Sequence, residues 1–410
     1  MRAFLFVITF FIPVLCFSHG KKIDLGVDVF FAEGYCKQLK GKKVGLVTNH
    51  TGVDGKLHPT LDLFLQAQNE LTLSAIFTPE HGLTGHAYAA ELIEKEEKIQ
   101  GIPVYSLHGK TRRPTDQMLA NVQVLIFDIQ DIGCRSYTFC TTLFYVMEQA
   151  AKKHIPVIVF DRPNPINGLI VDGPMLQDKW RSFIGYVNVP YCHGMTIGEL
   201  ARFFNQEYKI GCNLKVVPMK GWKREMSFKD THLAWIPTSP HIPEADTPLF
   251  YATTGMLGEL SLVSIGIGYT LPFKIVGAPW IRADKFASSL NAQKLPGVHF
   301  QPFYFRPQYG LYKGKDCEGV LLVVTNEKTY KPIVVQSLLL GTLKALYPHK
   351  VQEKLSSLSR QNKNLFCLAC GNADVLDILS KEKYVSWKLI QYQKEERETF
   401  LLLREKYLLY

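Results

Sequence analysis

The stretch that most constrains this chain is residues 122–137, VQVLIFDIQDIGCRSY. Its first half is a nearly unbroken apolar run, too short to cross a membrane and without the alternation of a strand that has one wet face. Such a run suits a strand covered on both sides, as in a parallel sheet flanked by helices. Asp128, Gln130, Asp131, Arg135 and Tyr137 then follow in quick succession. In open α/β sheets ligands bind beyond the carboxyl ends of the strands, so this cluster is a candidate site.

The arrangement recurs. Residues 44–49 (VGLVTN) are a short buried-type strand ending in Asn49. Residues 71–77 form another, running into TPEHG at 78–82. Pro79 interrupts the ladder and Gly82 permits a tight turn, which leaves Glu80 and His81 at the strand end. Residues 155–160 end in Asp161, Arg162 and Asn164. Helices are predicted over 59–68, 138–153 and 197–206, with extended pieces over 102–108 and 214–218. Thr196 and Glu199 have the spacing of a capping box. The Ala- and Glu-rich segment 86–100 is predicted helical or partly mobile. This succession predicts an α/β fold, with a Rossmann-like parallel-sheet domain over residues 22–230. The proline-rich segment 235–243 marks a junction. Residues 231–410, with extended runs at 273–276 and 319–325 and helices over 332–346 and 384–406, predict a smaller α+β auxiliary domain.

Residues 1–18 combine one positive charge, a short apolar core and a small-x-small ending, which predicts a signal peptide and a periplasmic or secreted protein. No other segment is apolar enough to span a bilayer. The chain has 410 residues and a formal charge of +10, but its basic residues are interspersed with acidic ones, so nucleic acid is not an expected partner. The nine cysteines are scattered; the lone CxxC at Cys367 and Cys370 has no second pair at zinc spacing. No GxGxxG is present, so no dinucleotide cofactor is expected. His81 and His193 lie in no HxH or HExxH pattern, so no metal is expected either.

Glu80, Asp128, Asp131 and Asp161 thus gather at strand ends, and paired carboxylates suit general acid and base, or acid and nucleophile, in glycoside hydrolysis. Glu80 follows an apolar strand and a proline, the setting of a partly desolvated acid. Arg135 and Arg162 suit carboxylate recognition, or simply pair with Asp131 or Asp161. Tyr137 could stack on a sugar ring or belong to the core.

The ordered set GLVTN (45–49), PEHG (79–82), FDIQDIG (127–133), RSYT (135–138), DRPNP (161–165), HGMT (193–196), Ser239-Pro240 and GAPW (277–280) resembles the NamZ family of secreted exo-acting β-N-acetylmuramidases. The resemblance implies a cleft between the two domains and release of N-acetylmuramic acid from the non-reducing ends of peptidoglycan fragments. It implies Glu80 as the acid and Asp128 and Asp131 as the acidic pair. Asn49, His81, Gln130, Arg135, Tyr137, Asp161, Arg162, Asn164, His193 and Glu259 would be substrate-binding, with Arg135 or Arg162 on the lactyl carboxylate. The chain departs from the family pattern at His241, Leu262 and Ile267, where Asn, Asn and Arg are expected. Two rivals remain at this point: a non-catalytic muropeptide-binding protein, and a metal-dependent hydrolase built on His81, His193 and Asp128.

Overall fold

The structure is a computed structural model that describes residues 22–67, 69–88, 91–93 and 97–410. The expected signal peptide lies outside them. Among the described residues, β1 (Lys43–Thr48), β2 (Thr72–Thr78), β3 (Glu97–Ile99), β4 (Ile102–Ser106), β5 (Val124–Asp128), β6 (Val157–Phe160) and β9 (Leu214–Val217) build one sheet in the order β3-β4-β2-β1-β5-β6-β9. All its pairings are parallel except β3 with β4. The predicted helix over 86–100 is therefore corrected in part. Residues 97–99 pair along β4 as an edge strand, which a charged three-residue piece can do without a buried face. A separate hairpin pairs β7 (Asp172–Met175) with β8 (Pro190–Cys192).

Strand residues alternate between two layers, as the period of a strand requires. Val44, Leu46, Ile126, Ile158 and Phe160 face α1 (Gly26–Ala32) and α2 (Thr60–Gln66). Val47, Phe77, Leu125, Phe127 and Val159 face the opposite layer, which includes α4 (Thr138–Lys152) and α5 (Ile197–Glu207). Helix α3 (Asp116–Leu119) is a single turn before β5. At α5, Thr196 and Glu199 form the capping box: each side chain takes the other's backbone N–H, at 3.2 and 3.0 Å.

The second half holds α6 (Thr247–Glu259), then a three-stranded antiparallel sheet of β10 (Ile275–Ala278), β11 (Val298–Phe305) and β12 (Cys317–Val324), crossed by α7 (Ala283–Asn291). Six helices follow: α8 (Pro332–Leu346), α9 (Pro348–Ser357), α10 (Arg360–Cys370), α11 (Asp374–Lys381), α12 (Val385–Gln391) and α13 (Lys394–Arg404). The helix predicted over 384–406 is broken between α12 and α13, where Gln393 takes a left-handed φ of 53°. Leu125 and Phe127 belong to the same apolar cluster as Met256, Val276 and Leu339, so one core runs through both halves. The chain end returns to the first sheet: Phe400 and Tyr407 stack edge-on against Phe203 of α5 at 5.8 and 5.3 Å. Cys367 and Cys370 lie on α10, buried and unbridged. No described helix is long and apolar enough to cross a membrane.

Candidate active site

β2 delivers the first functional residue. Its last carbonyl, at Thr78, accepts the Leu107 N–H, and residues 79–82 then turn, the Gly82 N–H donating to Pro79 at 3.1 Å. His81 and Gly82 both adopt left-handed backbone, φ 70° and 76°. For a histidine this costs on the order of 1 kcal/mol. It is held in place by Nδ1 donating to the Ala87 carbonyl at 2.7 Å. The turn places Glu80 almost out of solvent. Its carboxylate takes an O–H bond from Thr138, the first residue of α4, at 2.7 Å, and lies 3.6 Å from His108 Nε2. Burial lowers the pKa of His108, which keeps its imidazole neutral.

Glu80 and His81 open into a cavity of about 520 Å³. Ser136, Tyr137 and Thr138 bring the loop after β5 to its wall. The other half of the chain contributes Ser239, His241, Tyr251 and Glu259, beside an aliphatic wall that includes Ile242, Val263, Ile265 and Ile267. The volume is in the range of small-ligand sites. Ser136 bridges the hydroxyls of Tyr191 and Tyr251 at 3.0 and 2.9 Å, and Tyr137 donates to Thr238 at 2.8 Å, so the polar wall is pre-ordered. Glu259 is the last residue of α6. Burial pushes its carboxyl up to about 7.

Several expected site residues sit elsewhere. β1 pairs with β2 on one side and β5 on the other, so the topological switch point lies between β1 and β5. The protein's own groups fill it. Asp128 is fully buried, its two oxygens bound by Arg162 Nε at 2.6 Å and Nη2 at 2.9 Å, with the Thr60 hydroxyl as a third donor. Gln130 donates to the carbonyls of Asp131 and Pro163, both at 2.8 Å, and Asn49 accepts from the Thr51 N–H at 2.9 Å. What remains there is a hollow of about 20 Å³.

Arg135 does not reach the cavity wall either. Its guanidinium donates to the carbonyls of Pro174, Val189 and Cys370 at 2.7, 2.6 and 2.6 Å. Asp161 takes N–H and O–H bonds from Gly198, Thr196 and Tyr410 at 2.8, 2.8 and 2.7 Å. Asn164 braces its own turn by accepting the Ile166 N–H at 3.1 Å and ties it to the segment at 195 by donating to the Met195 carbonyl at 3.0 Å. His193 accepts the Met195 N–H at 3.2 Å, and burial lowers its pKa to about 3. Asp131 lies close enough to Tyr137 for its charge to be felt there; its Oδ2 takes the Gly133 N–H at 2.9 Å, and burial pushes its carboxyl up to about 7. No group of three or more His, Cys, Asp or Glu among the described residues is arranged to hold a metal ion.

Sequence reasoning did not single out Ser136, Thr138, His108 or Tyr251. The first two flank Tyr137 in RSYT, and their place at the start of a predicted helix was the available signal. Tyr251 had none, because α6 is buried nearly all round and lacks an amphipathic stripe.

This geometry can be set beside known proteins. Residues 44–246 match the description "Exo-beta-N-acetylmuramidase NamZ, N-terminal", and residues 249–410 match "NamZ, C-terminal". The chain belongs to the NamZ family. It is 40% identical over 391 residues to the peptidoglycan beta-N-acetylmuramidase NamZ of Bacillus subtilis (strain 168), which covers 95% of this chain and 92% of that protein. Crystal structures of two DUF1343 family proteins from Bacteroides fragilis NCTC 9343 share the fold. One has a TM-score of 0.88 at 40% identity, the other 0.73 at 27%, and each match covers 95% of this chain and 99% of the other. Within this NamZ chain the three departures differ in position. Ile267 and His241 line the cavity, His241 bonding the Tyr309 hydroxyl at 2.9 Å. Leu262 is buried, its carbonyl accepting from Tyr312. No Lys or Arg is found among the residues lining the cavity.

Proposed function

We propose that this chain is an exported exo-β-N-acetylmuramidase that releases N-acetylmuramic acid from the non-reducing ends of peptidoglycan-derived saccharides. The observation that carries the reading is the pair of glutamates, Glu80 from the parallel-sheet half and Glu259 from α6, lining one cavity of sugar-binding size. Glycoside hydrolysis needs two carboxyl groups flanking the bond. Glu80 donates the proton to the glycosidic oxygen, its orientation fixed by Thr138. Glu259, desolvated and poised near neutrality, activates the water or stabilises the oxocarbenium ion. Asp128 with Arg162 braces the strand ends. Residues 1–18 direct export and are removed, and the cleft lies between a catalytic domain over 22–230 and an auxiliary domain over 231–410.

The test is turnover of a chromogenic β-N-acetylmuramide by the mature chain, beside the matching N-acetylglucosaminide. Release from the muramide, abolished by Glu80→Gln with the fold intact, is the expected result. Near-normal turnover by that variant would overturn the assignment.

A further inference from the structure

An acidic sugar needs a counter-charge, and the lining of the cavity supplies no Lys or Arg. The two arginines expected for the task are spent inside the protein, Arg135 on three carbonyls and Arg162 on Asp128. The polar loop 109–115 offers another. Arg113 anchors it, ion-pairing Glu148 and lying 3.6 Å from the centre of the Tyr145 ring. Thr111 closes the local turn, taking the Arg113 N–H at 3.1 Å. The anchored loop presents Arg112, which is exposed and lies 4.1 Å over the Phe183 ring.

Phe183 connects this guanidinium to the site. Its ring is 5.5 Å from that of His108, which is 3.6 Å from Glu80. The next residue, Ile184, lines the cavity. Arg112 is also close enough for its charge to be felt at His108. Among the described residues no carboxylate pairs with it. A guanidinium stacked on an aromatic face keeps its N–H edge free for a carboxylate, and little further entropy is lost when it binds one.

We propose that Arg112 is a specificity-determining residue that recognises a carboxylate of the saccharide substrate at the cavity mouth. This rests on the muramidase reading above. The carboxylate is either the lactyl group of the released sugar or a carboxylate of a stem peptide on the leaving saccharide. In both cases the contact is a charge-assisted, bidentate pair.

The experiment compares full-length wild type, Arg112→Gln and Arg112→Lys on 4-nitrophenyl β-N-acetylmuramide, its lactyl carboxamide, and muramyl disaccharides with and without stem peptide. Calorimetric binding of free N-acetylmuramic acid and N-acetylglucosamine runs alongside. In Arg112→Gln, KM for the carboxylate substrate should rise roughly 10- to 100-fold with kcat nearly unchanged, and the preference over the carboxamide should collapse. Arg112→Lys should recover part of the loss. A KM rise confined to peptide-bearing substrates would place the carboxylate on the stem and equally support the role. A KM within twofold of wild type on every acidic substrate, or an equal loss on acid and amide, overturns it. Calorimetry keeps the two readings apart. A wild type that turns nothing over but binds muramic acid through Arg112 refutes the hydrolase and keeps the recognition residue.

Discussion

Glu259 and Asp128 show how differently this protein treats buried carboxyl groups. Asp128 is matched by a bidentate guanidinium and a hydroxyl. Removing one partner of such a pair leaves the other charge stranded, so Asp128→Ala should cost about 3–5 kcal/mol in denaturant unfolding. A loss below about 1 kcal/mol would mean that the pair is not the brace described. Glu259 is desolvated, and burial raises its folded pKa to about 7. The unfolded chain releases that proton near pH 4, whereas the folded protein keeps it until about 7. Between those values the unfolded state binds fewer protons, so this group makes stability fall as pH rises. Glu259→Gln should therefore stabilise the protein by about 1–2 kcal/mol at pH 8, a figure discounted for partial exposure. If Glu259 is the base, the same variant should lose about 100-fold or more in kcat, and wild-type kcat/KM should decline as pH drops below about 7. A destabilised Glu259→Gln would contradict the burial account, and a fully active one the role as base. Among the strand-end carboxylates Glu80, Asp128 and Asp161, the residues alone do not tell which faces a cavity, an arginine or a helix start.

At the scale of elements, the strands were legible because burial on both faces leaves nothing but apolar residues, and β1, β2, β5, β6 and β9 fall within about two residues of expectation. Of the first-half helices, α5 was marked by its capping box, and α2 and α4 by their place between the strands. Helix α6 and strand β11 carried no such mark. The first is apolar on most sides, and the second carries Pro302 and three exposed positions among eight. That blind spot hid Tyr251, while Glu259, on the same helix, was reached only through the family resemblance. The switch-point rule also pointed one strand too far inward, because Arg162 reaches across and fills the crevice between β1 and β5. The working end is instead the β2 turn against the start of α4, joined through Glu80 and Thr138. Thr138→Val keeps the shape and removes the hydroxyl. It should lower kcat roughly 10-fold with little change in KM, since the bond orients the acid. An unchanged kcat would show that Glu80 needs no such guide.

The whole molecule is held across its two halves by groups that read as site residues. Arg135, in the loop after β5, binds the carbonyls of Pro174 in β7, of Val189 just before β8 and of Cys370 at the end of α10. Its guanidinium is fully buried, and the carbonyls supply partial negative charge where no carboxylate is present. The apolar cluster around it is shared by both halves, while a second one, under α1 and α2, belongs to the first half. Arg135→Met preserves much of the volume but leaves three buried carbonyls without this donor. Each unmet buried acceptor costs about 1–3 kcal/mol, and relief of the desolvated charge offsets part of the sum, so the net loss should be about 3 kcal/mol. Because the core is continuous, the loss should appear as one cooperative transition shifted to lower temperature. Far-ultraviolet dichroism and the fluorescence of Trp180 and Trp280, on either side of the junction, should trace the same curve. Two separated transitions would show that the halves unfold independently and that Arg135 merely tethers them.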